Sequence, residues 1–331
     1  MTDRTPQFSR RQILAAGSAA TLLPMGNVSA QPTTYPQRPV KLIVPNAPGS
    51  SIDTISRVFA TQLALTLPQP IVVDNKAGAA GAIGVEMGRV APPDGYALII
   101  ASSSSVTVAP LLQKAVPYEP LRDFDFISLL ALLPNVLVCN PALPLRTTAD
   151  LIAYAKSRGG NSNMASAGIG SVSHLAGVAL QTAAGFQSLH VPYKGGSQGV
   201  ASVVSGETDW VLTPAPAALG LVSSGRLRLL AHSMDAAAQP LGKTPSIAQT
   251  VPGFSFSSWI GMMAPKGLPP EVVDTLRRHI TQALQQADLR KSFENNGAVP
   301  TPSSPQEFRA YLVKDIEQSR KAIQLAGVQP E

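Results

Sequence analysis

A chain of 331 residues, 44% hydrophobic and 14% charged, is long enough to bury more than one core. Its formal charge of +6 is dispersed without a basic run and only 5% of residues are aromatic, which excludes the basic, stacking surface of a nucleic-acid binder. The single cysteine, Cys139, excludes a disulfide framework and reads as a small buried hydrophobe, and no later apolar run reaches the length of a membrane span.

The first thirty residues read as an export signal. Arg4, Arg10 and Arg11 form a basic start, residues 13–23 a short Ala/Gly-rich apolar stretch, and Val28-Ser29-Ala30 a cleavage site that makes Gln31 the expected mature start. Ser9-Arg10-Arg11-Gln12-Ile13-Leu14 is similar to a twin-arginine signal; an ordinary secretory signal that carries paired arginines is the alternative, and both lead to the periplasm.

From residue 40 onward strands and helices alternate. The apolar run at 40–44 predicts a buried strand, Pro45-Asn46-Ala47-Pro48-Gly49 ends it, and Ser50 and Ser51 cap a helix over 52–67 in which Ile52, Ile55, Val58 and Phe59 recur at helical spacing. Such a turn exposes backbone N–H groups and the positive end of a helix dipole, a site for a carboxylate or phosphate. Asp53, in the first turn, reads equally as dipole complementation or as a ligand-facing acceptor. Strands follow at 71–73, 97–101, 126–131 and 135–139, with a helix at 83–91 between the second and third. After a helix at 149–157 and a strand at 163–167, Ala167-Gly168-Ile169-Gly170-Ser171 repeats the opening device, leading into a helix at 173–184 that stops at Gly185. Gly168-Ile169-Gly170 is half of a dinucleotide fingerprint; the third Gly is replaced by Ser173, so no nucleotide cofactor is expected. Strands at 190–193, 209–212 and 227–231, a helix at 270–287 and a last helix opened by the capping box Ser304-Pro305-Gln306-Glu307 complete the α/β chain, whose sheets are expected to be mostly parallel.

Two other patterns carry chemistry. Gly195-Gly196-Ser197-Gln198-Gly199 matches the nucleophile elbow G-x-S-x-G, with Asp209, His232, Asp235 and His279 downstream as triad partners. Against a secreted serine hydrolase, no HGG-type oxyanion segment occurs and the apolar run after Ser197 is short. His174, His190, His232 and His279 show no metal-ligand spacing, so no metal is expected. His174 falls in a first helical turn, where it either faces a cleft or bonds nearby backbone.

Set side by side, Pro45…Pro48-Gly49…Asp53…Arg57, Val73-Asp74-Asn75-Lys76-Ala77-Gly78, Pro93-Asp94-Gly95-Tyr96, Ser166-Ala167-Gly168-Ile169-Gly170-Ser171…His174-Leu175, Val191-Pro192-Tyr193-Lys194-Gly195 and Trp259…Ala264-Pro265 give a chain that resembles the Bug family of extracytoplasmic solute receptors, the binding proteins of tripartite tricarboxylate transporters. The main departure is Ser50, where that family has a second Gly. The resemblance implies a type II-like periplasmic-binding-protein fold: two α/β domains around a cleft with a two-segment hinge near residues 132–135 and 253–257. Residues 31–132 and 256–331 would form domain 1 and residues 133–255 domain 2. It further implies a monomer that is not an enzyme and that captures a small carboxylate for membrane transporter subunits, or, in the alternative, for a sensor kinase. The ligand is expected at Asn46, Ala47, Ser50, Ser51 and Asp53 of the first turn, at Ser166, Ala167, Gly168, Ser171 and His174 of the second, and at Ser103, Ser104 and Thr213 beyond strand ends, where open α/β sheets bind ligands.

Overall fold

The computed structural model describes residues 35–235 and 240–330; the export signal read at 1–30 lies outside the described residues. Strand β1 (Val40–Val44) runs into helix α1 (Ser51–Thr66) through the Pro/Gly turn, and Ile52, Ile55, Phe59 and Leu63 turn one buried face of α1 to the sheet. Strand β2 (Ile71–Asn75), helix α2 (Ala82–Arg89) and strand β3 (Ala97–Ser102) follow. β1 pairs with both strands in parallel, with Val40 opposite Ile71 and Leu42 opposite Leu98. A π-helical turn (Ser103–Val108) and the short helix α3 (Ala109–Leu112) lead to β4.

Strand β4 (Phe124–Cys139) is one 16-residue strand where the sequence predicts two. Nearly every residue of β4 is buried, so its hydrophobic pattern is continuous and carries no period to mark a break. Its first part lies antiparallel to β9 (Ser257–Pro265), with Leu133 opposite Ser258. Its second part lies antiparallel to β7 (Trp210–Pro214) and β8 (Arg228–His232), with Asn135 opposite Pro214. Around this strand stand two α/β lobes. The first has its core in Leu42, Leu98, Ile100, Leu130 and Met262, packed against Ile55 and Phe59 of α1 and against Leu276 and Ile280 of α8 (Pro270–Gln285). The second is built on helix α4 (Thr148–Ser157), parallel strands β5 (Asn163–Ser166) and β6 (Leu189–Pro192), and helices α5 (Val172–Ala184), α6 (Gly196–Ser205) and α7 (Leu219–Ser223). Its core gathers Leu137, Cys139, Met164, Leu180, Trp210 and Leu212. Cys139 is fully buried there, and burial pushes its thiol up to about 11.

The strand order β2-β1-β3-β9-β4-β7-β5-β6 corrects the expectation of mostly parallel sheets: the outer strands of each lobe are parallel, whereas all pairings of β4 and that of β3 with β9 are antiparallel. Where the chain crosses between lobes, Asn135 and Ser233 exchange main-chain and side-chain hydrogen bonds, and Asn135 Nδ2 donates to the Phe256 carbonyl at 2.7 Å. Helix α9 (Ala287–Asn295) and the short strand β10 (Val299–Pro300) precede helix α10 (Pro305–Leu325). The capping box at its start forms: the Glu307 N–H donates to Ser304 Oγ at 3.1 Å and the Ser304 N–H to Glu307 Oε2 at 2.8 Å.

Candidate functional site

The carboxyl ends of β1, β3, β5 and β7 open onto one cleft of 750 Å³. Asn46, Ala47, Ser50, Ser51, Ser103, Ser104, Ala167, Ser171 and Thr213 line it, so the two turns and two of the strand ends singled out in the sequence meet at one place. Among the described residues, no Asp, Glu, Lys, Arg or His side chain lines this cleft. The helix N-termini of α1, α5 and α6 line it instead, and a helix N-terminus is equivalent to roughly half an elementary positive charge.

The turns are more self-contained than the sequence suggests. The Gly49 N–H donates to Asp53 Oδ2 at 2.8 Å and the Ser50 N–H to the Ala47 carbonyl at 3.2 Å. In the second turn the Ala167 N–H reaches Ser173 Oγ at 2.9 Å, Gly168 N–H reaches Ser166 Oγ at 3.0 Å, Gly170 N–H reaches His174 Nδ1 at 3.1 Å and Ser171 N–H reaches the Gly168 carbonyl at 3.1 Å. The expectation that these turns expose their amides is corrected for these six, whereas the Asn46, Ala47 and Ile169 N–H groups have no partner among the described residues. The first helical turns add the amides of Ser51 and Ile52 in α1 and of Val172 and Ser173 in α5, because the only backbone N–H that each N-cap serine side chain accepts is that of the third helical residue. Helix α6 has no side-chain cap, so the Gly196 and Ser197 amides add to this set.

Asp53, Ser166, Gly168 and His174 stand behind the cleft wall. Asp53 is 2% exposed, and its carboxylate accepts from Gly49 N–H, Asn75 Nδ2 and Arg57 Nε. Burial alone would raise its pKa, but the hydrogen bonds from Arg57, Gly49 and Asn75 outweigh it and hold the carboxyl below its ordinary value. Ser166 is fully buried and shares a 2.6 Å hydrogen bond with His190 Nε2. His174 stacks on His190 with ring centroids 3.9 Å apart, and both rings line a second pocket, of 730 Å³, on the other side of α5's first turn. Burial, and then the neighbouring His190, lower the His174 pKa to about 4, so the ring is neutral and accepts the Gly170 N–H. Gly168 holds φ at 118°, in the region that favours glycine, and so lets the second turn close on itself.

Several lining residues were not singled out as ligand contacts. Ala77, Gly78, Ala80 and Gly81 form a tight turn in which Ala79 and Ala80 take positive φ values of 46° and 53°. Pro214, Pro216, Ala217 and Leu221 supply an apolar wall, Ser258 and Trp259 come from β9, and Val328 and Gln329 follow α10. Only the glycines of the 77–81 turn leave a sequence signal; the others arrive through tertiary packing. Ser197 also lines the cleft, but none of the four histidines does, so the elbow motif has no base beside it.

The chain matches the family model described as "Tripartite tricarboxylate transporter family receptor" over residues 55–328. It is 36% identical over 296 residues to Protein BugT of Bordetella pertussis, covering 89% of this chain and 91% of that one. Among solved structures it superposes on R. palustris Rpa4515 with adipate (TM-score 0.83, 30% identity, 90% of this chain and 100% of the other). It likewise superposes on MatC from Rhodopseudomonas palustris with bound malate (TM-score 0.76, 27% identity, 87% and 100%). On this fold, this cleft and these relationships, the chain belongs to the tripartite tricarboxylate transporter family receptors, solute-binding proteins rather than enzymes.

Proposed function

We propose that this chain is an exported, monomeric receptor that captures a small carboxylate in the cleft and delivers it to the membrane subunits of a tripartite tricarboxylate-type transporter. The observation that carries the reading is the convergence of open first-turn amides from α1 and α5 on a cleft that no ionisable side chain among the described residues lines. A carboxylate satisfies such amides with charge-assisted hydrogen bonds, and the helix termini supply the counter-charge. The adipate and malate named for the two solved relatives are both carboxylates, which supports the same class here.

In this reading residues 1–30 are removed at Ala30 after twin-arginine export into the periplasm. Residues 31–132 with 256–331 move as one domain and residues 133–255 as the other. Ligand stabilises the closed form by its greater affinity for that form, and the closed form docks on the transporter.

A thermal-shift screen of carboxylic acids, each beside its neutral amide, tests the capture step. Acids that raise the melting temperature while their amides do not are expected. Stabilisation by neutral sugars or cationic peptides, with no response to any acid, would sink the carboxylate reading. Uptake of the identified acid into vesicles carrying the membrane subunits, with and without this protein, tests delivery.

A further inference from the structure

Helix α10 reaches from one lobe to the other. Near its start Phe308 packs against Gly261 of β9, and midway Asp315 accepts from Trp259 Nε1 and Thr107 Oγ1 of the first lobe. In its last turns Ala322 and Ile323 join one apolar cluster with Val108, which follows β3, and with Leu175 of α5 in the second lobe. Leu175 is fully buried there.

The helix ends in a complete Schellman motif. The Gly327 N–H donates to the Gln324 carbonyl at 3.1 Å and the Val328 N–H to the Ile323 carbonyl at 3.3 Å, with Gly327 at φ 64°. The apolar contact that accompanies such a motif is present as well, since Val328 packs into the cluster of Ile323. These bonds turn the chain back onto the cleft, whose wall Val328 and Gln329 both line.

Val328 sits on the seam between the lobes. Its cluster includes Leu111 and Leu112 of α3 in the first lobe as well as Leu175 in the second. Leu112 itself approaches the second turn so closely that its Cδ1 lies 2.3 Å from where a Cβ on Gly170 would be. A ligand can leave only as the lobes part, and parting them here draws Leu175 and Leu112 away from Val328 and gives apolar surface back to water. Gln329 is exposed, and Pro330 after it restricts its backbone to extended conformations, so little freedom is lost when it meets a ligand. Its neutral carboxamide offers both a donor and an acceptor to the part of the ligand that the helix amides do not hold.

Resting on the carboxylate reading above, we propose that residues 327–330 are a strap across the seam of the cleft, anchored by Val328 and touching the ligand through Gln329, and that the strap slows the release of a bound acid.

The test titrates succinate, malate, adipate, hexanoate and benzoate into the mature protein by calorimetry, and follows the dissociation of each acid that binds by stopped-flow fluorescence. Dissociation is expected to be roughly tenfold faster in Val328→Ser and roughly threefold faster in Gln329→Ala, because a lost contact of this kind is felt mainly in the off-rate. The ligand-free melting temperature of Gln329→Ala should match that of the wild type. That variant alters an exposed side chain, so it carries the test even if Val328→Ser does not fold. Dissociation rates within twofold of the wild type in both variants would overturn the strap and leave carboxylate capture intact. So would faster dissociation that appears only together with a lower ligand-free melting temperature in both variants, the mark of a purely structural segment. Failure of every acid to bind overturns both readings together.

Discussion

Asn75 Nδ2 donates to Asp53 Oδ1 at 2.8 Å, tying the end of β2 to the first turn of α1. With Gly49 and Arg57 on its other lone pairs, the Asp53 carboxylate is a brace for the turn and not a face toward the ligand. Asp53→Ala is expected to destabilise the fold by about 1–3 kcal/mol, since it strands three donors. The rank order of bound acids should stay unchanged. Because the folded pKa lies below the unfolded value of 3.8, this stabilisation is present above that pH and is lost as pH falls through the folded pKa. Denaturant unfolding at pH 7 and a ligand panel check both halves; altered selectivity at unaltered stability would return Asp53 to the ligand.

What the sequence conveys about this site and what it conceals have physical causes. The turns at 45–50 and 167–171 are legible because strand, breaker, cap and helix follow one another locally, and each step leaves a residue type behind. The hydrogen-bond traffic inside the turns is not, because it depends on which side chain folds back: Ser173 onto Ala167, His174 onto Gly170. The same limit hides β9. Its residues are read only by their contact with β3 and β4, and Gly261 in its middle is there because Phe308 of α10 lies where a Cβ would go, its ring 2.3 Å from that position. The continuous burial of β4 removes the periodicity that would have shown one strand serving two lobes.

The stacked pair His174–His190 makes the second turn sensitive to acid. His174 accepts the Gly170 N–H only when neutral, and its folded pKa of about 4 lies below the ordinary 6.5; that of His190 is lowered too, by burial. The sign follows: between these values the unfolded chain binds the extra proton, so stability is fully present above about pH 6.5 and declines toward pH 4. The His174 shift corresponds to roughly 3 kcal/mol at its upper limit. His174→Gln is expected to flatten the dependence of the melting temperature on pH across this window. A mutant curve parallel to that of the wild type would show that another group titrates there.

Gly199 sets how closely α6 approaches β5. A Cβ built on it lies 2.8 Å from the Ser166 carbonyl, a backbone atom that already accepts the Tyr193 N–H. Gly199→Ala is expected to cost about 1–3 kcal/mol. It should also weaken ligand binding tenfold or more by moving the α6 N-terminus and the second turn apart. Gly196→Ala is the control for stability: nothing lies within 4 Å of its Cβ position. Equal melting temperatures for the two variants would rule out close approach as the reason for glycine at 199.

The two tryptophans divide between the lobes, and only one touches the cleft. Trp259 lines it, donating its Nε1–H to Asp315 Oδ2 at 2.7 Å, where Thr107 Oγ1 donates to the same oxygen. Trp210 is sealed in the core of the second lobe against Phe186. Ligand-induced change in tryptophan fluorescence is therefore expected to arise from Trp259: retained in Trp210→Phe and abolished in Trp259→Phe. The latter also removes one of the donors to Asp315, whose carboxyl burial already pushes above its ordinary pKa, and so should lower stability by about 1–3 kcal/mol. Calorimetry on both variants separates loss of the signal from loss of binding. A fluorescence change that persists in Trp259→Phe and disappears in Trp210→Phe would place the ligand's influence in the second lobe's core rather than at the β9 wall of the cleft.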